Sequence, residues 1–114
     1  MDRLTFQKYS KLARRTEAPL SPDNRLLHHT LGIADEAGEI SKAVKAYIAY
    51  GQSLNTDNIV EEIGDALWFL ACLADTCGTT LEEAAKKNIA KLEHRYARGE
   101  FDAKLAMARL DKQE

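Results

Sequence analysis

Two short stretches decide the fold: residues 35–40, DEAGEI, and residues 61–70, EEIGDALWFL. Each stretch carries two acidic residues three positions apart. On a helix, side chains at this spacing point the same way, with Cβ atoms about 5–6 Å apart. Apolar residues recur at helical spacing around both pairs, which predicts that the carboxylates lie within the apolar stripes of two amphipathic helices. The four acidic residues are Glu36, Glu39, Glu62 and Asp65.

Carboxylates within an apolar stripe are costly to bury unless a cation compensates their charge. Mg²⁺ is the favoured cation, with Mn²⁺ as an alternative, because it takes oxygen ligands and needs no histidine or cysteine. If both stripes face inward, the four carboxylates meet at one place, and their charge equals that of two divalent ions. The number of ions stays open. A structural alternative is an ion-pair network in which basic side chains neutralise the acids; the candidates are Lys42, Lys45, Lys91 and Arg95.

The helical period, without the alternation typical of strands, predicts an all-α protein. Short connections between long helices favour an antiparallel bundle of about four main helices with a short C-terminal segment. The helices are predicted at residues 5–15, 22–50, 56–77 and 81–97, and the tail from residue 100 is mildly helical. The starts are marked by Ser21 with Pro22, by Thr56 as a cap, and by a capping box of Thr80 with Glu83. The ends are marked by Gly51, Gly78 and Gly99.

Composition narrows the class of protein. A chain of 114 residues with 45% hydrophobic and 30% charged residues predicts one globular domain over residues 1–114. The net charge of −2 gives no basic field, which argues against a nucleic-acid partner. The N-terminus has no apolar signal core, and the apolar run at residues 63–73 is too short to span a bilayer, so no membrane is expected. Two cysteines, Cys72 and Cys77, suit a reduced cytoplasmic setting and are interpreted as core thiols rather than nucleophiles.

The fourth predicted helix carries polar residues along one ridge: Asn88, Lys91 and Arg95. A cationic ridge suits a polyphosphate, because lysine and arginine hold phosphate oxygens. The alternative is a solvated basic helix end. His28 and His29 form no ferritin-like pattern with the acids and are interpreted as structural or surface residues. Trp68 lies opposite its helix's apolar stripe, which indicates a subunit interface or, alternatively, cover by the first helix or the tail.

Three blocks occur in order along the chain: DEAGEISKAVKAYIAYG, VEEIGDALWFLACLAD and LEEAAKKNIAKLEHRY. Together they resemble the MazG-like branch of the all-α nucleoside triphosphate pyrophosphohydrolases, which is marked by an EExxE stretch, a spacer and an ExxD stretch. The resemblance covers roughly residues 24–101. One departure is Asp35, where the motif commonly begins with glutamate.

The resemblance implies that the four acidic residues are the catalytic Mg²⁺ ligands and that Asn88, Lys91 and Arg95 contact substrate. It further implies hydrolysis of a nucleoside triphosphate to the monophosphate and pyrophosphate, a role in nucleotide-pool housecleaning, and a homodimer or tetramer. Two rivals stay open. One is a narrow pyrophosphatase for a dUTP- or dCTP-like substrate; the other is a non-enzymatic helical binding or regulatory module.

Overall fold

A computed structural model of the protein describes residues 3–109 and residue 112. Its helices are α1 (Phe6–Arg14), α2 (Pro22–Ala49), α3 (Thr56–Thr76), α4 (Leu81–Arg95) and α5 (Ala103–Ala108). The described part of the chain is 74% helical and contains no strand, so the predicted all-α fold is confirmed. Within these residues, no helix combines the length and the apolar character that crossing a membrane requires.

Capping contacts set most helix boundaries where the sequence places them. The Ser21 hydroxyl accepts the Asn24 backbone N–H, and Pro22 is the first residue of α2. Gly51 follows α2 with φ of 66°, a left-handed conformation that glycine adopts without a Cβ penalty. One cap is corrected: Asn55, and not Thr56, caps α3, because its carboxamide oxygen accepts the N–H of Asn58 at 3.0 Å.

The C-terminal part differs slightly from the prediction. Helix α4 ends at Arg95 rather than near residue 97, and the chain turns before Gly99, whose φ is 76°. The mildly helical tail is confirmed as α5, where the Asp102 carboxylate accepts the backbone N–H groups of the next turn. Leu110, an apolar residue near the end of this tail, lies outside the described residues.

The chain forms two compact units, residues 1–81 and 82–114. In the first unit α2 packs against α3, and α1 packs against α3. Helices α2 and α3 are antiparallel, since His29 near the start of α2 lies beside Trp68 and Phe69 late in α3. Farther along α2, Glu36 meets Glu62 near the start of α3. The second unit contains α4 and α5, with the rings of Tyr96 and Phe101 6.0 Å apart.

At Gly32, which is buried, α2 packs directly against the Phe69 ring of α3. A Cβ atom added at this glycine would overlap the Phe69 ring. That ring cannot easily turn aside, because the aromatic rings of His28, His29 and Trp68 surround it at centroid distances of 5.1–6.2 Å. The absence of a side chain at residue 32 therefore lets the two helices pack closely.

Helix α1 is attached to α3 through Trp68. The indole N–H is 3.1 Å from the carbonyl oxygen of Ala13 and 2.8 Å from the hydroxyl of Thr16, so it can be shared between these two acceptors. The alternative expectation, that the first helix covers Trp68, is therefore confirmed, and a subunit interface at this residue stays a prediction. The physical reason is that an indole needs a hydrogen-bond partner when half-buried, and the end of α1 supplies one.

The connection between α1 and α2 is held by a charged network that the sequence did not reveal. Glu17 accepts two hydrogen bonds from Arg25, each 2.9 Å long, and also contacts the fully buried His29. Arg25 reaches Asp75 of α3 at 2.9 Å, and Arg14 of α1 reaches the same carboxylate at 3.1 Å. The network therefore joins all three helices of the first unit. His29 is structural and His28 lies at the surface, as expected.

Candidate active site

Three of the four predicted acidic ligands come together across the α2–α3 packing. Glu36 of α2 and Glu62 and Asp65 of α3 each offer a carboxylate oxygen, and these oxygens lie within 4.8 Å of one another. The i, i+3 spacing aims the two α3 carboxylates at the same face, and the antiparallel packing brings Glu36 opposite them. We call Glu36, Glu62 and Asp65 the acidic trio.

The acidic trio places three carboxylate side chains close together. The Oε2 atom of Glu36 is buried and has no hydrogen-bond partner among the described residues. Hydrogen bonding to Glu36, burial and the negative charges of the neighbouring carboxylates raise the pKa of Glu62 to about 7. Lys42 and Lys45, two candidates for a neutralising role, form no ion pair with the trio within the described residues. An unpartnered buried acceptor among crowded carboxylates fits a cation ligand set.

The donor atoms also indicate the kind of ion. All three side chains of the acidic trio offer oxygen, which suits a hard cation such as Mg²⁺ or Mn²⁺. A second group of potential ligands, Glu17 with His29 and Cys72, lies elsewhere in the same unit. There both oxygens of Glu17 already accept hydrogen bonds from Arg25. This second group is therefore a structural ion-pair network.

Glu39 is the predicted ligand that stands apart from the acidic trio. It is solvent-exposed, although its charge still contributes to the raised pKa of Glu62. It lies one helical turn after Glu36 and lines a cavity of about 240 Å³ between the second half of α2 and the start of α3. Gln52, Ser53 and Asn55, in the connection between these helices, also line this cavity. We call this cavity the α2–α3 cleft.

The polar ridge predicted on the fourth helix is present on α4. Asn88 is exposed, whereas Lys91 and Arg95 are half-buried. Arg95 also lies beside the ring of Tyr96, with 6.0 Å between the guanidinium carbon and the ring centroid. The three residues belong to the second compact unit.

Cys72 is a core thiol, as predicted, and not a nucleophile. Cys72 is fully buried, and burial together with the charge of Glu17 raises the pKa of its thiol to about 11. A thiol with this pKa stays protonated at neutral pH, which makes it a poor nucleophile. Cys77 is exposed, so its interpretation as a core thiol is wrong: it follows the last residue of α3 and lies beyond the packed part of the helix.

Sequence reasoning missed several polar residues near the site. Gln52, Ser53, Asn55 and Asn58 line the α2–α3 cleft. Their only sequence signal is a local concentration of carboxamide and hydroxyl side chains between two helices, which is equally typical of an ordinary loop. Only the packing of α2 on α3 shows that these side chains border the same cleft as Glu39.

Comparison with known proteins agrees with this arrangement. Residues 26–99 match the model of the MazG nucleotide pyrophosphohydrolase domain, a segment that contains the acidic trio and the α4 ridge. The Gene 37 protein of Mycobacterium phage L5 is 33% identical over 78 residues, covering 65% of this chain and 68% of that protein. The uncharacterized protein YvdC of Bacillus subtilis (strain 168) is 32% identical over 73 residues, covering 56% of this chain and 69% of that protein. No solved structure matches. Because the matching segment spans most of the chain and includes its acidic cluster, the protein belongs to the MazG nucleotide pyrophosphohydrolase family.

Proposed function

We propose that the protein hydrolyses nucleoside triphosphates to nucleoside monophosphates and pyrophosphate with the help of Mg²⁺. Membership of the MazG family supports nucleotide pyrophosphohydrolase activity in general, and this family generally depends on a divalent metal. The observation that carries the finer proposal is the acidic trio, in which a buried Glu36 oxygen lacks a partner beside two further carboxylates. A triphosphate is polyanionic, so it can approach this site only if cations intervene.

Each part of the site has a role in this proposal. Glu36, Glu62 and Asp65 hold the metal, which when bound neutralises phosphate oxygens and acts as a Lewis acid. Glu39 is exposed and outside the acidic trio, so its carboxylate stays available to accept a proton from the attacking water. Protein groups mainly position the reactants in phosphoryl chemistry, and rigid placement on two packed helices serves this need.

Asn88, Lys91 and Arg95 on α4 are the proposed substrate-contacting residues. They follow one another at i, i+3 and i+7, which places them on one side of the helix. Lysine and arginine are suited to stabilise negative charge on the departing pyrophosphate. We propose that this ridge contributes to substrate affinity.

A homo-oligomer is part of the proposal. Large apolar side chains are exposed along both α2 and α3; for example, Leu27 is 58% exposed, Ile48 74% and Val60 66%. Apolar exposure on this scale along packed helices marks an association surface, and a second copy of the chain is the proposed occupant. Size-exclusion chromatography with light scattering tests this expectation.

The activity is tested by measuring pyrophosphate release from a panel of nucleoside triphosphates with Mg²⁺. Glu36→Gln and Glu62→Gln keep side-chain size and remove the charge that holds the metal. We expect each to lower kcat/KM at least about 100-fold, since even outer-shell ligand changes cost 10–100-fold. Glu61→Gln is the matched control, because Glu61 is adjacent to Glu62 on α3 but exposed and outside the acidic trio.

A binding measurement separates the enzyme from the non-enzymatic module. Ligands that bind the folded state raise its unfolding midpoint, so Mg²⁺ at millimolar concentration should raise the Tm of the wild type and not of Glu36→Gln. If the protein releases no pyrophosphate from any triphosphate and its Tm does not change when Mg²⁺ is added, the non-enzymatic module is favoured.

A further inference from the structure

We propose that the α2–α3 cleft binds the nucleoside part of the substrate, with its carboxamides meeting the edge of the base. This inference rests on the proposed function and deepens it, because it names the residues that recognise the uncharged end of the nucleotide. The cleft lies beside the acidic trio, since Glu39 lines it one helical turn after Glu36 on α2 and Asn58 lines it one turn before Glu62 on α3. A nucleotide whose phosphates lie at the trio therefore has the cleft within reach of its other end.

The charge of the cleft suits an uncharged group. Its two ionisable lining residues, Glu39 and Lys42, carry opposite formal charges, so together they offer no excess positive charge to a phosphate. The remaining polar lining consists of Gln52, Ser53, Asn55 and Asn58, which are neutral. Bidentate recognition of phosphate calls for arginine, which the cleft lacks, and the charge of its single lysine is offset by Glu39. Its chemistry is that of a site for hydrogen-bonding neutral groups.

The hydrogen-bonding capacity of the cleft remains largely unused by the protein. Four lining side chains make no hydrogen bond or ion pair to any other described residue: those of Lys42, Gln52, Ser53 and Asn58. The Asn55 oxygen accepts the backbone N–H of Asn58, which leaves its amide N–H groups to donate elsewhere. A carboxamide offers a donor and an acceptor side by side, as the edge of a nucleobase does, so the two can pair in a plane.

The size and floor of the cleft agree with a base rather than a whole nucleotide. Its volume of about 240 Å³ lies below the range of roughly 300–1,000 Å³ typical of pockets for drug-sized ligands. Ala43 and Ala46 line it at i, i+3 on α2, so small methyl groups and not bulky side chains meet the ligand there. A planar ring can lie on such a surface with its edge toward the carboxamides.

The test uses the full-length protein and steady-state pyrophosphate release. Gln52→Leu changes an exposed connecting residue and Asn58→Leu changes the third residue of α3. Asn24→Leu is the matched control: Asn24 is likewise the third residue of its helix, and its backbone N–H also bonds to the N-cap side chain, but it lies away from the cleft.

We expect each cleft variant to raise KM for nucleoside triphosphates at least about fivefold, the lower limit for losing one bidentate contact to a base. Turnover should change far less than KM, because nucleoside binding is the same in the ground state and the transition state. The increase in Tm caused by Mg²⁺ alone should be unchanged, which a general loss of structure would not allow.

Two results would overturn the inference and are distinguishable. If the wild type releases pyrophosphate but both cleft variants keep the KM of Asn24→Leu, the base is bound elsewhere and the proposed function stands. If the wild type releases no pyrophosphate from any triphosphate, the proposed function falls and this inference falls with it.

Discussion

Replacing Gly32 by alanine should destabilise the protein, although alanine is the better helix former. In an open helical position the change Gly→Ala stabilises by roughly 0.5–1 kcal/mol. At Gly32 the new methyl group would overlap the Phe69 ring, which neighbouring rings hold in place. Overpacking of this kind costs about 1–3 kcal/mol. The overlap is deep, so the expected net effect is a loss of about 1–2 kcal/mol.

The measurement is thermal or urea unfolding of the metal-free protein, compared with Gly38→Ala. Gly38 lies on the same helix with open space where its Cβ would be, so this control should gain stability. With roughly 4 °C per kcal/mol for a chain of this size, Tm should fall by about 4–8 °C for Gly32→Ala and rise by about 2–4 °C for Gly38→Ala. A double-mutant cycle with Phe69→Leu should recover part of the loss, since the smaller side chain relieves the overlap. The reasoning is refuted if Gly32→Ala is as stable as Gly38→Ala.

Three further predictions concern charge and hydrogen bonding. The pKa of Glu62 is raised to about 7, so the stability of the metal-free protein should decrease as pH rises from the unfolded-state pKa of this residue through 7. Glu62→Gln should flatten this dependence of stability on pH in urea titrations, and an unchanged dependence would contradict the prediction. Burial acts to raise the pKa of Glu17, but hydrogen bonds from Arg25 and His29 hold it below the ordinary value. The contribution of Glu17 to folding stability is therefore present above its unfolded-state pKa and is lost as pH falls through its folded-state pKa. Glu17→Ala should therefore lower the free energy of unfolding by about 3 kcal/mol at neutral pH. This value is toward the lower end for breaking a buried pair, because Arg25 keeps some exposure. A loss under 1 kcal/mol would show that the network is not stabilising. Trp68→Phe removes the indole N–H and should cost about 1 kcal/mol in chemical unfolding, whereas no loss would mean that water replaces it at the end of α1.

Much of the site was open to prediction because its residues are set by helical spacing. Glu36 and Glu39 lie on one side of α2, and Glu62 and Asp65 on one side of α3, whatever else the chain does. The sequence could not say which of the four would meet. Their grouping depends on which turns of α2 and α3 pack against each other. In the structure, Glu39 lies outside the acidic trio.

The sequence by itself determined the helices, since caps and breaks act within one turn of the chain. Ser21, Pro22 and Gly51 set the ends of α2 through contacts with near neighbours and through their own backbone preferences. Even the one corrected cap, Asn55, differs from the prediction by a single position.

Only the tertiary structure decided which distant residues became partners. Nothing near Glu17 in the sequence indicates that it will contact Arg25 and His29, and nothing near Trp68 indicates that the end of α1 will accept its hydrogen bond. These contacts arise when helices dock, and docking depends on shape, as at Gly32, where the absence of a side chain lets α2 and α3 pack closely. Side-chain volume and long-range packing therefore determined which distant residues came into contact, and local periodicity did not specify this.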